Sequence, residues 1–102
     1  MADTIQYPSG HVRGDNTDKI DYSLAVDGPM FKRLAMHLTR QANNHGGKRN
    51  WMQANSLEEK ARAKESAFRH FMQWYYEEID EDHAAAVEFN INLFEYLKEK
   101  LG

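Results

Sequence analysis

The chain has 102 residues, 41% of them hydrophobic and 12% aromatic, which suits one folded domain with a single core. Thirteen Lys and Arg against sixteen Asp and Glu give a net charge of −3, which argues against general binding to the nucleic-acid backbone. No cysteine is present, so disulfides and thiolate metal sites are excluded. No apolar run approaches the ~20 residues that span a bilayer, so we expect no membrane partner and a cytoplasmic location.

The first 28 residues show no sustained hydrophobic period. They are rich in Gly, Ser, Asn and Asp, which favour turns over helix. The stretch "IDYSLAV" alternates weakly and favours an extended conformation. We therefore predict an extended N-terminal arm over residues 1–28, laid against a helical domain over residues 29–102.

The first helix is predicted to begin at Pro29, whose fixed φ suits a first helical turn. One apolar stripe at helical spacing follows, formed by Phe31, Leu34, Ala35, Leu38 and Ala42. The polar run at residues 43–47, which ends in two glycines, is predicted to stop this helix.

A second helix is predicted over residues 57–79. Ser56 is a suitable N-cap, and Glu59 three residues later completes a capping box. An apolar stripe continues this helix towards Ile79.

The third helix is predicted over residues 83–100, with Asp82 as its N-cap. It carries two apolar rows, one of Val87, Ile91, Phe94 and Leu101 and one of Phe89, Leu93 and Tyr96. A helix that is apolar on two sides usually has two neighbours, and in so small a chain the second neighbour is expected to be another subunit. The predicted fold class is all-α: a small bundle of about three main helices that assembles as a homo-oligomer.

The densest negative charge lies at residues 77–82. Glu77 and Glu78 fall in the last turn of the predicted second helix, where negative charge opposes the helix dipole by ~0.3–1 kcal/mol each. Mg²⁺ would compensate this charge, because it binds through one or two carboxylates and keeps waters for substrate phosphates. We therefore predict a metal site of Glu77, Glu78 and Asp82. The alternative is a hydrated turn between two helices.

Polar residues on the second and third helices favour a shared cleft. His70 and Glu77 lie about two turns apart with Trp74 between them, and His83 and Asn90 follow on the next helix. Two antiparallel helices joined by a short turn would bring these residues together, with His70 or His83 moving a proton. The alternative is a satisfied histidine and a buried Asn that fixes helix register.

A basic and aromatic set follows the glycine pair at residues 46 and 47. Lys48, Arg49 and Asn50 precede Trp51, while Arg40 lies on the predicted first helix and Arg69 on the second. Cations and flexible backbone amides beside an aromatic ring suit a nucleotide, with the base stacked on Trp51 or Trp74 and the phosphates on the positive groups. The alternative is that Trp51 only fills the core. A P-loop motif is absent from the sequence.

These stretches together resemble a known family. It is the phage-associated helical domain described as the N-terminal domain of dATP/dGTP diphosphohydrolase, grouped near the MazG-like all-α NTP pyrophosphohydrolases. The resemblance lies in "DKIDYSLAVDGPMFKRLA", in the Asn-Trp pair of "NNHGGKRNWMQA" and in "AFRHFMQWYYEEIDEDHAAAVEFN". It covers roughly residues 17–98.

The resemblance implies a phage protein that binds a purine deoxynucleoside triphosphate in the host cytoplasm and cleaves it to monophosphate and pyrophosphate with Mg²⁺. MazG-like enzymes carry a second pair of acids where this chain has His83 and Ala86, so fold and nucleotide association are implied more firmly than hydrolysis. Two alternatives therefore stay open. One is a nucleotide or nucleotide-signal binder without chemistry, and the other is a structural oligomerisation module.

Overall fold

The computed structural model describes residues 4–15 and 18–102. Within them, the chain begins with a small antiparallel hairpin of β1 (Thr4–Gln6) and β2 (Val12–Gly14), in which Ile5 pairs with Arg13. The expectation of an all-α chain is thus corrected, although helices dominate the described residues. The strands were not predicted because all three residues of each strand are exposed and leave no apolar alternation.

A 3-10 helix, Tyr22–Val26, occupies the stretch that was expected to be extended. The Asp21 carboxylate accepts hydrogen bonds from the Ser23 backbone N–H at 3.0 Å and from the Ser23 hydroxyl. This cap bends the chain, as short polar side chains at a turn commonly do. The 3-10 helix then contacts the first α-helix.

The bundle consists of three main helices, α1 (Met30–Asn44), α2 (Leu57–Tyr75) and α3 (His83–Leu101). The predicted capping of α2 is confirmed, since the Glu59 N–H donates to Ser56 Oγ at 3.1 Å. The predicted cap of α3 is also confirmed, since the Ala85 N–H donates to Asp82 Oδ1 at 3.1 Å.

The second helix ends four residues earlier than predicted. The Glu78 N–H donates to the Gln73 carbonyl and the Glu77 N–H to the Trp74 carbonyl, both at 3.0 Å, which is the bonding pattern of a Schellman motif. Glu77 holds the left-handed position of that motif, at φ 59°. Glycine usually occupies this position, so a glutamate there does not mark the end of a helix in the sequence.

The core lies where α3 meets α2. Leu97 is fully buried, and the small residues Ala63, Ala85 and Ala86 allow close helix contact. Packing of α3 against α1 places Phe89 against His37, with ring centroids 5.5 Å apart. At Phe89, the second neighbour expected for α3 is therefore α1 of the same chain. None of the described helices is long and apolar enough to cross a membrane.

Candidate functional site

A polar cleft opens where the three helices meet. It encloses about 380 Å³, a size suited to a small ligand. Its polar lining includes three side chains of α1, two of α2 and one of α3: His37, Arg40, Gln41, Ser66, His70 and Asn90. Glu81 and Asp82, from the turn before α3, line it as well. The cleft therefore joins cations, neutral hydrogen-bonding groups and acids in one cavity.

Beside this cleft, two histidines and a glutamate converge. His70 Nδ1 lies 2.9 Å from His83 Nδ1, and Glu81 Oε1 lies 3.4 Å from the first nitrogen and 3.8 Å from the second. His83 is only 3% exposed, whereas the Glu81 side chain is 53% exposed. We call His70, Glu81 and His83 the inner cluster.

Asp80 holds the buried ring of His83 from its other side. Its Oδ1 lies 2.7 Å from His83 Nε2. Because an ionised carboxylate only accepts hydrogen bonds, Nε2 carries a proton, and in the neutral ring the Nδ1 lone pair points towards His70. Burial lowers the pKa of His70, which favours a neutral ring near pH 7. Since the two Nδ1 atoms lie 2.9 Å apart, one of them carries a proton and donates it to the other.

Asp82 is engaged with Arg33 of α1. The guanidinium donates to both carboxylate oxygens, from Nε at 2.9 Å and from Nη2 at 2.6 Å. This hydrogen bonding lowers the pKa of the Asp82 carboxyl to about 2. Since the same carboxylate caps α3, the ion pair fixes the start of α3 relative to α1.

The predicted metal residues Glu77 and Glu78 lie on the outer side of the turn. They are exposed and, with Trp74 and Asp82, line a shallow cavity of about 620 Å³. The prediction that they occupy the last turn of α2 is wrong, because that helix ends at Tyr75. Asp82 shares their cavity, but both of its oxygens already bind Arg33.

The predicted nucleotide residues fall into several places. Asn50 and Trp51 line a second cavity of about 540 Å³, which shares Ser66 and Asn90 with the cleft. The two cavities therefore adjoin at Ser66 and Asn90, and we call the pair the groove. Asn90 donates its amide to the Ala86 carbonyl at 2.8 Å.

The remaining members of the basic and aromatic set lie away from this groove. Lys48 and Arg49 line a separate cavity that also borders Trp51. Arg69 is exposed on α2. Trp74 lines the same shallow cavity as Glu77 and Glu78.

Trp51 is half-buried in a short 3-10 helix, Asn50–Gln53, and packs edge-on against two rings of α3. Its centroid lies 5.1 Å from that of Tyr96 and 6.3 Å from that of Phe89. The Tyr96 hydroxyl also donates to the Met52 carbonyl at 2.9 Å, which ties this segment to α3. Trp51 thus fills part of the core while lining the groove.

Sequence reasoning missed several residues of this site. In the sequence, Asp80 and Glu81 are ordinary residues of a polar turn. His37 lies on α1 and His45 just after it, and only the crossing of α1 over α3 brings them to the cleft, together with Arg40 of the basic and aromatic set. Burial lowers the pKa of His37, whose Nε2 lies 3.1 Å from the Gln41 amide nitrogen. The signal in the sequence was the spacing of His37 and Gln41, which places two polar side chains on one face of the first helix.

No significant match to this chain is found among protein families, curated proteins or solved structures. The resemblance to the diphosphohydrolase family therefore stays a prediction from the quoted residues.

Proposed function

We propose that the protein binds a nucleotide along the groove between its three helices, with the phosphates towards the inner cluster and the base towards Trp51. The observation that carries this proposal is that two cavities adjoin at Asn90, one lined by His70 and Glu81 and the other by Asn50 and Trp51. Such a groove offers charged groups for phosphates and a ring edge with amides for a planar base.

Arg40 is the principal phosphate ligand in this proposal. It lines the cleft together with His45. A guanidinium binds phosphate oxygens through two parallel hydrogen bonds. A divalent cation at the acid-rich end would offset the repulsion between phosphate and carboxylates. The predicted Mg²⁺ is one such cation.

The proposed activity is hydrolysis between the α- and β-phosphates. Water attacks the α-phosphorus, the bond to the bridging oxygen breaks, and pyrophosphate leaves with that oxygen while the monophosphate remains. Burial lowers the pKa of His37, which favours a neutral ring on the cleft wall. Its Nε2 accepts the Gln41 amide N–H in the free chain and would accept the proton of the attacking water in its place. A purine deoxynucleoside triphosphate is the substrate that the family resemblance implies.

Thermal unfolding of the chain with each deoxynucleoside triphosphate, with Mg²⁺, with Mn²⁺ and with EDTA, tests this proposal. We expect a rise in the unfolding temperature with dATP or dGTP, and roughly tenfold weaker binding in Arg40→Ala, since one charged hydrogen-bonding group contributes about 1.4 kcal/mol or more. Lys98→Ala, at an exposed site on α3, is the matched control. Binding without monophosphate by chromatography indicates a non-catalytic binder, and no nucleotide binding contradicts the proposal.

A second candidate function, an oligomerisation module, is favoured by the outer face of α2. Four large side chains there are 44–68% exposed: Phe68, Phe71, Trp74 and Tyr75. Contiguous exposed aromatic surface commonly marks an interface. This candidate predicts that dilution lowers the unfolding temperature. It also predicts a smaller mass by light scattering for Phe68→Ser, and a constant monomer mass would exclude it.

A further inference from the structure

We propose that the inner cluster is a binding site for a first-row transition-metal ion, Zn²⁺ in particular, held by His70 Nδ1, His83 Nδ1 and Glu81 Oε1. This site differs from the predicted Mg²⁺ site in both its ligands and its ion. It does not depend on nucleotide binding, because all three ligand atoms belong to the chain.

The distances within the inner cluster suit such an ion. The three ligand atoms are separated by 2.9, 3.4 and 3.8 Å. The point equidistant from all three lies about 2.0 Å from each, the ordinary distance from zinc to an imidazole nitrogen or a carboxylate oxygen. An ion therefore fits among these atoms with little rearrangement of the backbone.

Asp80 supplies the support that metal-bound histidines usually have. A ligating histidine commonly donates its second ring N–H to a carboxylate, which fixes its orientation and its free lone pair. His83 Nε2 lies 2.7 Å from Asp80 Oδ1 in this way. Because the ring of His83 is almost fully buried, its Nδ1 has little access to water and faces His70 and Glu81.

The ligand types select the ion. Two imidazoles with one carboxylate suit Zn²⁺ and its neighbours, whereas Mg²⁺ prefers oxygen ligands in an octahedral shell. Three protein ligands also leave a coordination position open, as in catalytic zinc sites. His70 and Glu81 line the cleft, so this open position is accessible from the groove.

A competing arrangement exists on the other side of the same ring. Glu78 and Asp80 with His83 also place three potential ligand atoms within 4.8 Å of one another. We favour the inner cluster because it contains two histidines and because His83 Nε2 already bonds to Asp80. The outer arrangement relies on two exposed carboxylates.

Metal titration of the EDTA-stripped full chain tests the proposal. Binding of Zn²⁺ is measured by competition with a chromophoric chelator, and Co²⁺ is followed by its visible absorption. We expect binding of both ions. Glu81→Gln and His70→Ala should weaken Zn²⁺ binding at least tenfold. Asp80→Asn should weaken it about 10- to 100-fold, because Asp80 orients the ring of His83. Glu99→Gln, on the exposed end of α3, is the control and should leave Zn²⁺ binding unchanged. Glu78→Gln tests the competing arrangement on the other side of His83.

Three results would overturn the proposal. The first is wild-type affinity for Zn²⁺ no better than that for Mg²⁺. The second is Zn²⁺ binding that Glu81→Gln and His70→Ala leave unchanged. The third is binding that Glu78→Gln weakens and Glu81→Gln does not, which would place the ion on the outer side. Because Glu81 is exposed, its substitution tests the site without disturbing the core, and circular dichroism checks the fold of each variant.

Discussion

The two sides of the turn between α2 and α3 differ in what their acids contact. On the outer side, Glu77 and Glu78 are exposed, and Glu78 accepts only a long hydrogen bond of 3.5 Å from Gln73. On the inner side, Glu81 faces two histidines and Asp82 binds Arg33. Density of negative charge therefore does not locate a site in this chain. The basic side chains that the helices bring to the turn distinguish its inner acids from its outer ones.

The backbone creates this difference. The left-handed conformation of Glu77 ends α2 and reverses the chain, so that the residues after it return over His70. Asp82 then caps α3 while it binds Arg33 of α1. One turn thus positions a candidate metal site and the junction of two helices.

The largest effect expected at this turn is stabilisation by metal. An ion that binds only the folded chain adds about 2.7 kcal/mol to the free energy of unfolding at a free concentration 100 times its Kd. We expect Zn²⁺ to raise the unfolding temperature of wild type and of Glu78→Gln, and addition of EDTA to reverse the rise. At the same concentration, Glu81→Gln should lose about half of this stabilisation or more, since its binding is at least tenfold weaker. Equal shifts in both variants would remove the distinction between the two sides.

A smaller effect is expected from the Arg33–Asp82 pair at acid pH. The folded-state pKa of Asp82 is lowered from 3.8 to about 2, so its stabilising contribution is present above pH 4 and is lost as the pH falls towards 2. A shift of this size corresponds to on the order of 2 kcal/mol at neutral pH. Urea unfolding measured in 0.5-unit steps from pH 6 to pH 2 gives the profile.

Arg33→Ala should flatten that acid profile and lower the stability at pH 6, because it removes the Arg33 hydrogen bond, the main cause of the lowered pKa of Asp82. Arg62→Ala, on the exposed surface of α2, is the control. An unchanged slope between pH 4 and pH 2 in Arg33→Ala would show that the pair contributes little.

The smallest effect is expected on the outer side, from Glu77→Gly. A non-glycine residue at φ 59° costs about 1–2 kcal/mol in the left-handed region, and glycine removes this cost. Against that gain, glycine loses more chain entropy on folding, which costs about 0.5–1 kcal/mol. We expect a net gain of roughly 0.5–1 kcal/mol by urea unfolding. Glu78→Gly, one residue later, is the control and should destabilise the chain. A loss of stability in Glu77→Gly would mean that its side chain makes a contribution to the turn.

Much of the helical architecture could be predicted from local signals. Pro29, Ser56 and Asp82 mark the starts of the helices because capping depends on neighbouring residues only. The end of α2 could not be predicted, because the Schellman position holds Glu77 and not glycine. The exposed hairpin was also invisible, since Val12 and Ile5 have no buried face to give a pattern.

The candidate site was only partly predictable. His70 and His83 were singled out from their places on two helices joined by a short turn, and they lie in contact. Arg40 and His37 could not be assigned to the cleft, because their position depends on packing of α1 against α3. Glu81 resembled its acidic neighbours in sequence, and only the direction of the turn separates it from Glu78.

The tautomer of His70, read from the ¹⁵N shifts of its ring with and without Zn²⁺, tests the central claim most directly. Without metal, the contact of 2.9 Å between His70 Nδ1 and His83 Nδ1 requires a proton on one of these two atoms. With Zn²⁺ bound at the inner cluster, that proton must leave Nδ1, and we expect the His70 ring to carry its proton on Nε2 while His83 keeps its Nε2 proton on Asp80. A His70 ring that keeps the Nδ1 proton at saturating Zn²⁺ would contradict the account.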